Sequence, residues 1–146
     1  MVALLYPAIK LLAYSFWCYW GLRNYRPPRN DVYRRSLVYG FFRLLMGFFF
    51  GVGIWLTSTF VLSHIGDGLP QNILTYVLVY VPVRWIEWSI MAALIVPGSF
   101  PFVHWMSGTS PRDRNWRLGG IVISCFADIP LIVSLGGVIP TGRFLC

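Results

Sequence analysis

The chain has 146 residues, of which 57% are hydrophobic, 18% aromatic and 12% charged, and its formal net charge is +7. A soluble domain is nearer ~45–50% apolar and ~25% charged, so a mean hydropathy of +0.64 excludes an ordinary soluble fold and leaves room for one bundle of a few membrane helices. The basic excess would suit a nucleic-acid binder, but the arginines fall in the gaps between apolar runs rather than along an amphipathic face, which excludes that partner and fits a lipid bilayer.

The first apolar run, 4–22, holds Pro7 near its start, where a helix tolerates proline. It also holds Lys10, close enough to the end to snorkel toward headgroups. Phe16-Trp17-Cys18-Tyr19-Trp20 near its close has the composition of an interfacial aromatic belt. A basic n-region and a small-residue cleavage site are both missing, so the run does not read as a cleavable signal. Residues 23–36 contain five arginines and Pro27-Pro28 and read as a basic loop.

The second run, 37–62, is long enough for a tilted span. It contains Gly47-Phe48-Phe49-Phe50-Gly51, a G-x-x-x-G spacing that lets two helices approach closely, so Gly47 and Gly51 are the candidate packing residues. Ser63 to Asn72 is turn chemistry with no Lys or Arg.

The third run, 73–96, is the most informative. It is long enough to cross ~30 Å of hydrocarbon, yet Arg84 and Glu87 sit near its centre. A charge there costs at least ~2.5–3.5 kcal/mol, so such residues face protein or water rather than lipid. Three apart on a helix, the two share a face and can partly neutralise each other. Pro82 removes a backbone hydrogen bond just before Arg84 and predicts a kink. Pro97-Gly98 closes the run, and Phe100 to Met106 reads as an interfacial segment. Residues 98–117 form a second basic loop. The fourth run, 118–139, carries Asp128 at its middle and then Pro130.

The fold class that follows is all-α: a polytopic integral membrane protein with four transmembrane helices, residues 1–146 forming one transmembrane domain. Four spans put both basic loops on the same side, as the positive-inside rule asks. That places loops 23–36 and 98–117 in the cytoplasm and both termini outside.

If runs three and four are neighbours centred in the bilayer, Arg84 and Asp128 share a depth, with Glu87 about 4 Å further inward. One base and two acids at one level make a candidate substrate- or ion-binding triad. Arg43, seven residues into run two, has three readings: it snorkels to the inner headgroups, binds a lipid phosphate, or faces the triad as a fourth member. The alternative is a set of structural ion pairs that fix helix register, or charges that meet another subunit. His64 and His104 fall at opposite faces, which excludes one bis-histidine haem. Each reads first as an interfacial histidine with a water partner, and the alternative is a single axial ligand for a haem or pigment; the cofactor is unknown. Cys18, Cys125 and Cys146 lack C-x-x-C spacing and read as non-metal residues. No G-x-S-x-G, H-E-x-x-H or P-loop occurs.

Short loops leave little machinery, so the leading expectation is a small non-catalytic integral membrane subunit. Its partners would be the lipid bilayer and other membrane subunits or copies of itself. A small transporter or proton/ion-conducting component built on Arg84, Glu87 and Asp128 is the second expectation. The third is a membrane-embedded lipid-modifying enzyme, with Asp128, Glu87 or His104 as acid/base and Arg84 or Arg43 on phosphate.

Overall fold

The computed structural model describes residues 2–27, 30–65, 68–98, 108 and 110–134. They form α1 (Val2–Tyr25), α2 (Val32–Ile65), α3 (Leu69–Thr75), a π-helical stretch (Tyr76–Tyr80), α4 (Val81–Ile95) and α5 (Pro111–Ser134), with no strand among them. The interfacial segment Phe100 to Met106, His104 with it, lies outside the described residues, as do positions 135–139 of the fourth run and Cys146.

The helices outrun their apolar stretches, because hydropathy marks where lipid ends and not where hydrogen bonding ends. Arg34 and Arg35 lie in the first turn of α2, and the Arg35 Nε donates to Asp31 Oδ2 at 2.6 Å, one turn back. Ser110-Pro111-Arg112-Asp113 opens α5. The Ser110 hydroxyl oxygen accepts from the Asp113 N–H at 3.2 Å, and proline stands at the first helical position, where its missing N–H costs nothing. The basic segments expected as loops are therefore largely helix ends: Arg23, Arg34, Arg35, Arg112, Arg114 and Arg117 are all helical.

Pro82 produces an irregularity of a specific kind. It sits at the first turn of α4, directly after the π-helical stretch. Proline deletes the N–H that would bond the carbonyl four residues back, and its ring crowds that carbonyl. One widened turn relieves the crowding and lets the helical path continue through Arg84.

Neighbours in sequence are neighbours in space. α1 packs along α2 and α5, and α4 packs on α5 and α2, so the four corners run α2, α1, α5, α4 and close on α2. Contact between α1 and α4 is slight. Glycines set the closest approaches. A Cβ on Gly40 would lie 2.7 Å from Ser15 N and 2.8 Å from Ser15 Cα, so α2 meets the α1 backbone there. Further toward the basic end, glycines receive indoles: Gly119 faces Trp17, Gly120 faces Trp88, and Gly21 faces Trp116. The Trp88 and Trp116 rings meet edge to face at 5.3 Å.

The distribution of side chains is inverted relative to a soluble helix. On α2 the buried stripe is Ser36, Gly40, Arg43, Met46, Gly47, Gly51, Ile54 and Ser58, which includes both glycines of the G-x-x-x-G. Its outward face carries Phe41, Phe42, Phe48, Phe49, Leu56 and Phe60, each more than two-fifths exposed. Water would drive the large apolar groups inward; a hydrocarbon solvent removes that drive, and small residues win the interior because they allow close packing. Three stretches, Val32–His64, Ile73–Ile95 and Pro111–Val133, are long and apolar enough to cross a membrane. The chain is a multi-pass, all-helical membrane protein.

Candidate functional site

Among the described residues, four cations and three carboxylates are buried in the bundle: Lys10, Arg43, Arg84 and Arg117 with Glu87, Asp113 and Asp128. Desolvating each ion costs several kcal/mol, which only close, hydrogen-bonded partners offset. For all but Arg117 and Asp113 the partners are found across helices, and they divide the expected triad into two centres.

The first centre joins α1, α4, α5 and the π-helical stretch at Asp128. The Arg84 Nη2 donates to Asp128 Oδ2 in a very short contact. The Lys10 ammonium lies 3.0 Å from Asp128 Oδ1 and has no further polar partner among the described residues. The Tyr6 hydroxyl donates to the same oxygen at 2.8 Å. On the other side, Arg84 Nη1 donates to the Tyr76 hydroxyl at 2.5 Å and to Cys125 Sγ at 3.1 Å. One carboxylate thus serves two cations, and the excess positive charge of the interior falls here. Lys10 does not snorkel. Its side chain is 2% exposed, because α1 turns that face toward α5 rather than toward lipid.

The second centre joins α2 to α4. Arg43 Nη2 donates to Glu87 Oε2 at 2.5 Å, with both side chains buried. The guanidinium is flanked by rings, with its Cζ 4.9 Å from the Tyr14 centroid and 5.2 Å from that of Trp88. Such cation–π contact offsets part of the desolvation of Arg43 Nε and Nη1, which lack hydrogen-bond partners among the described residues. Arg43 therefore faces the interior and does not reach for headgroups. Glu87 belongs to Arg43 and not to Arg84: the two residues of α4 share a helix but separate sideways, one toward α2 and one toward α5. The single Arg84–Glu87–Asp128 triad is replaced by these two pairs.

A third pair went unnoticed in the sequence. Arg117 grips Asp113 with two parallel bonds, Nε to Oδ1 at 2.9 Å and Nη2 to Oδ2 at 2.7 Å, and donates Nη1 to the Ser89 hydroxyl at 2.9 Å. Both charged side chains are fully buried. The signals were present: acid and base four apart, and the Ser-Pro-x-Asp start that makes 111–117 helix instead of loop. For Lys10 the signal was Tyr6, Lys10 and Tyr14 at four-residue spacing, a polar stripe within an apolar run.

An apolar groove of about 340 Å³ opens between the π-helical stretch and α5, lined by Tyr76, Ile121, Val122, Cys125, Phe126, Ile129 and Ile132. Tyr76 and Cys125 separate it from the Arg84–Asp128 pair. Arg43, Arg84, Glu87 and Asp128 do not line it. His64 is apart from both centres; its Nδ1 lies 2.8 Å from the Phe60 carbonyl oxygen at the exposed end of α2. Among the described residues no cluster of His, Cys, Asp or Glu is arranged to hold a metal ion. Comparison with protein-family models, curated proteins and solved structures finds no match to this chain.

Proposed function

We propose that this chain is a non-catalytic, four-span integral membrane subunit of a larger membrane assembly or homo-oligomer, with its arginine-rich end in the cytoplasm. The observation that carries the reading is the contrast between interior and surface. The Asp128 and Glu87 charges are paired across helices in tightly packed surroundings, while α2 presents an apolar outward face rich in phenylalanine, with Phe49 71% exposed and Phe60 65% exposed. Buried cross-helix pairs of this kind fix register between helices, and the outward apolar face of α2, which the described bundle leaves exposed, is the surface left for a neighbouring subunit in place of lipid. α1 is read as the fourth span because it packs along both α2 and α5 and brings Lys10 to Asp128. The arginines at the ends of α1, α2 and α5 supply the positive-inside bias.

Native purification in a mild detergent, with quantitative identification of every co-migrating chain, tests this. Stoichiometric partner chains or a defined homo-oligomer are expected. A monodisperse monomer that stays monomeric in lipid nanodiscs would refute the subunit reading.

A second reading, a small proton- or ion-handling component, is favoured by one specific observation: a single buried carboxylate shared by two cations beside a π-helical turn, a feature that often accompanies function. Proteoliposomes carrying an internal pH dye test it. Proton flux that Asp128→Asn abolishes supports this reading over the first, and flux no greater than in protein-free vesicles removes it.

A further inference from the structure

At the arginine-rich end a small cleft of about 90 Å³ lies between α1 and α2, lined by Leu22, Arg26, Pro27, Val32 and Arg35. Its walls differ in character. Leu22 is buried and Val32 packs against the main core, so one side is fixed and apolar. The other side carries two guanidinium groups that are already held in place. Arg26 Nε donates to the Ile95 carbonyl at 3.1 Å and its Nη2 to the Leu94 carbonyl at 3.0 Å, which locks it to the C-terminal end of α4. Arg35 is held through Nε by Asp31 at 2.6 Å. Neither arrangement uses Arg26 Nη1 or the terminal nitrogens of Arg35. Asp31, the acid beside the cleft, is already engaged by Arg35.

We propose that this cleft binds the phosphate of an anionic phospholipid headgroup, held between Arg26 and Arg35, with the glycerol and upper acyl carbons against Leu22 and Val32. Three facts select that ligand class. Guanidinium groups recognise phosphate through charge-assisted, often paired hydrogen bonds, and fixing them in advance removes much of the ordering cost. The cleft joins a cationic wall to an apolar one, the polarity order of a lipid at the headgroup boundary. It also lies where the apolar run of α1 ends and that of α2 is about to begin, the depth at which lipid phosphates reside. The proposal rests on the membrane placement of the bundle and not on the subunit reading.

The discriminating experiment compares two neighbouring arginines. Arg34 and Arg35 are both exposed and carry the same charge, but Arg35 alone of the two lines the cleft. Purified protein in nonionic detergent is titrated with dioleoyl-phosphatidylglycerol, with dioleoyl-phosphatidylcholine and with inorganic phosphate. Retained lipid is counted by native mass spectrometry at ~0.1 M salt, where diffuse surface attraction is largely screened. Phosphatidylglycerol should be retained over phosphatidylcholine. Arg35→Gln should weaken that retention about tenfold, the loss of one charge-assisted phosphate contact. Arg34→Gln should weaken it by less than about twofold, as a screened charge outside the cleft. Arg26→Gln should weaken it as Arg35→Gln does. Equal losses for Arg34→Gln and Arg35→Gln would overturn the site in favour of general charge attraction, and so would the absence of headgroup preference. Inorganic phosphate displacing the lipid at comparable concentration would overturn the lipid as ligand. Unchanged thermal midpoints for Arg34→Gln and Arg35→Gln separate binding loss from unfolding.

Discussion

Replacing Asp128 with Asn tests the charge arrangement most directly, because the carboxylate is shared. At about 3 Å and an effective dielectric of about 20, each cation is attracted to it by about 5–6 kcal/mol, against several kcal/mol of desolvation per ion. Asp128→Asn removes both attractions and leaves Arg84 and Lys10 buried with no carboxylate between them. The cost should reach or exceed the upper end of the ~3–5 kcal/mol typical of a broken buried pair. Arg84→Met is a different perturbation. It leaves Lys10 and Asp128 as a neutral pair with Tyr6 still donating to the acid, so its cost should fall below that range, at about 1–3 kcal/mol for lost packing and hydrogen bonds. Adding Arg84→Met to Asp128→Asn should recover stability relative to Asp128→Asn alone, since one buried orphan replaces two. The assay is equilibrium unfolding in mixed micelles of mild detergent and SDS, followed by tryptophan fluorescence. If Arg84→Met costs as much as Asp128→Asn, Lys10 does not share the carboxylate and the reasoning fails.

Three further outcomes are expected. Gly40→Ala should cost about 1–3 kcal/mol by driving α2 off the Ser15 backbone, whereas Gly53→Ala, with nothing within 4 Å, should be neutral or stabilising by up to about 1 kcal/mol, both read in the same micelles. Single cysteines at Val2, Asp67 and Arg112 in an otherwise cysteine-free chain should label Val2 and Asp67 from one face of the membrane and Arg112 from the other; Val2 labelling together with Arg112 would show that α1 does not cross. Ser110→Ala should cost about 1 kcal/mol as a lost helix cap, and Asp113→Asn about 3–5 kcal/mol by leaving Arg117 buried without its carboxylate, with the difference visible as a larger drop in thermal midpoint.

The membrane character was legible because it rests on composition and run length, which need no knowledge of packing. The buried position of Arg84 and Asp128 was legible for the same reason: a charge far from both interfaces has to find a partner. Which partner it finds depends on how each helix is rotated about its axis. Arg84 and Glu87, three apart, sit on nearly one face by sequence, yet that face is wide enough to straddle two neighbours, α5 and α2. Lys10 was misplaced because a lysine near a helix end has two solutions, reaching outward or turning inward, and only the neighbouring helix decides between them. The basic segments were misread for another reason. Arginine is a good helix former, so a run of arginines bounds the lipid-facing part of a helix without ending the helix. The indole-on-glycine contacts of Gly119 and Gly120 were hidden because their partners, Trp17 and Trp88, belong to other helices.

The order in which the interior charges leave the ribosome has a consequence for biogenesis. Each cross-helix pair is made cation first. Arg43 precedes Glu87 by 44 residues, Arg84 precedes Asp128 by 44, and Lys10 precedes nearly the whole chain. At ~5–20 residues per second, a 44-residue wait is about 2–9 s, long compared with the motion of a helix in lipid. During that interval an inserted helix holds a positive charge without the carboxylate that pairs with it in the finished bundle. Release of the early helices one at a time into lipid is therefore the unfavourable route. Retention of α1, α2 and α4 beside the insertion machinery until α5 delivers its carboxylate is the favourable one. A chain stopped before Asp128 would keep Lys10 and Arg84 permanently uncompensated, a mark that membrane quality control can read without recognising any sequence.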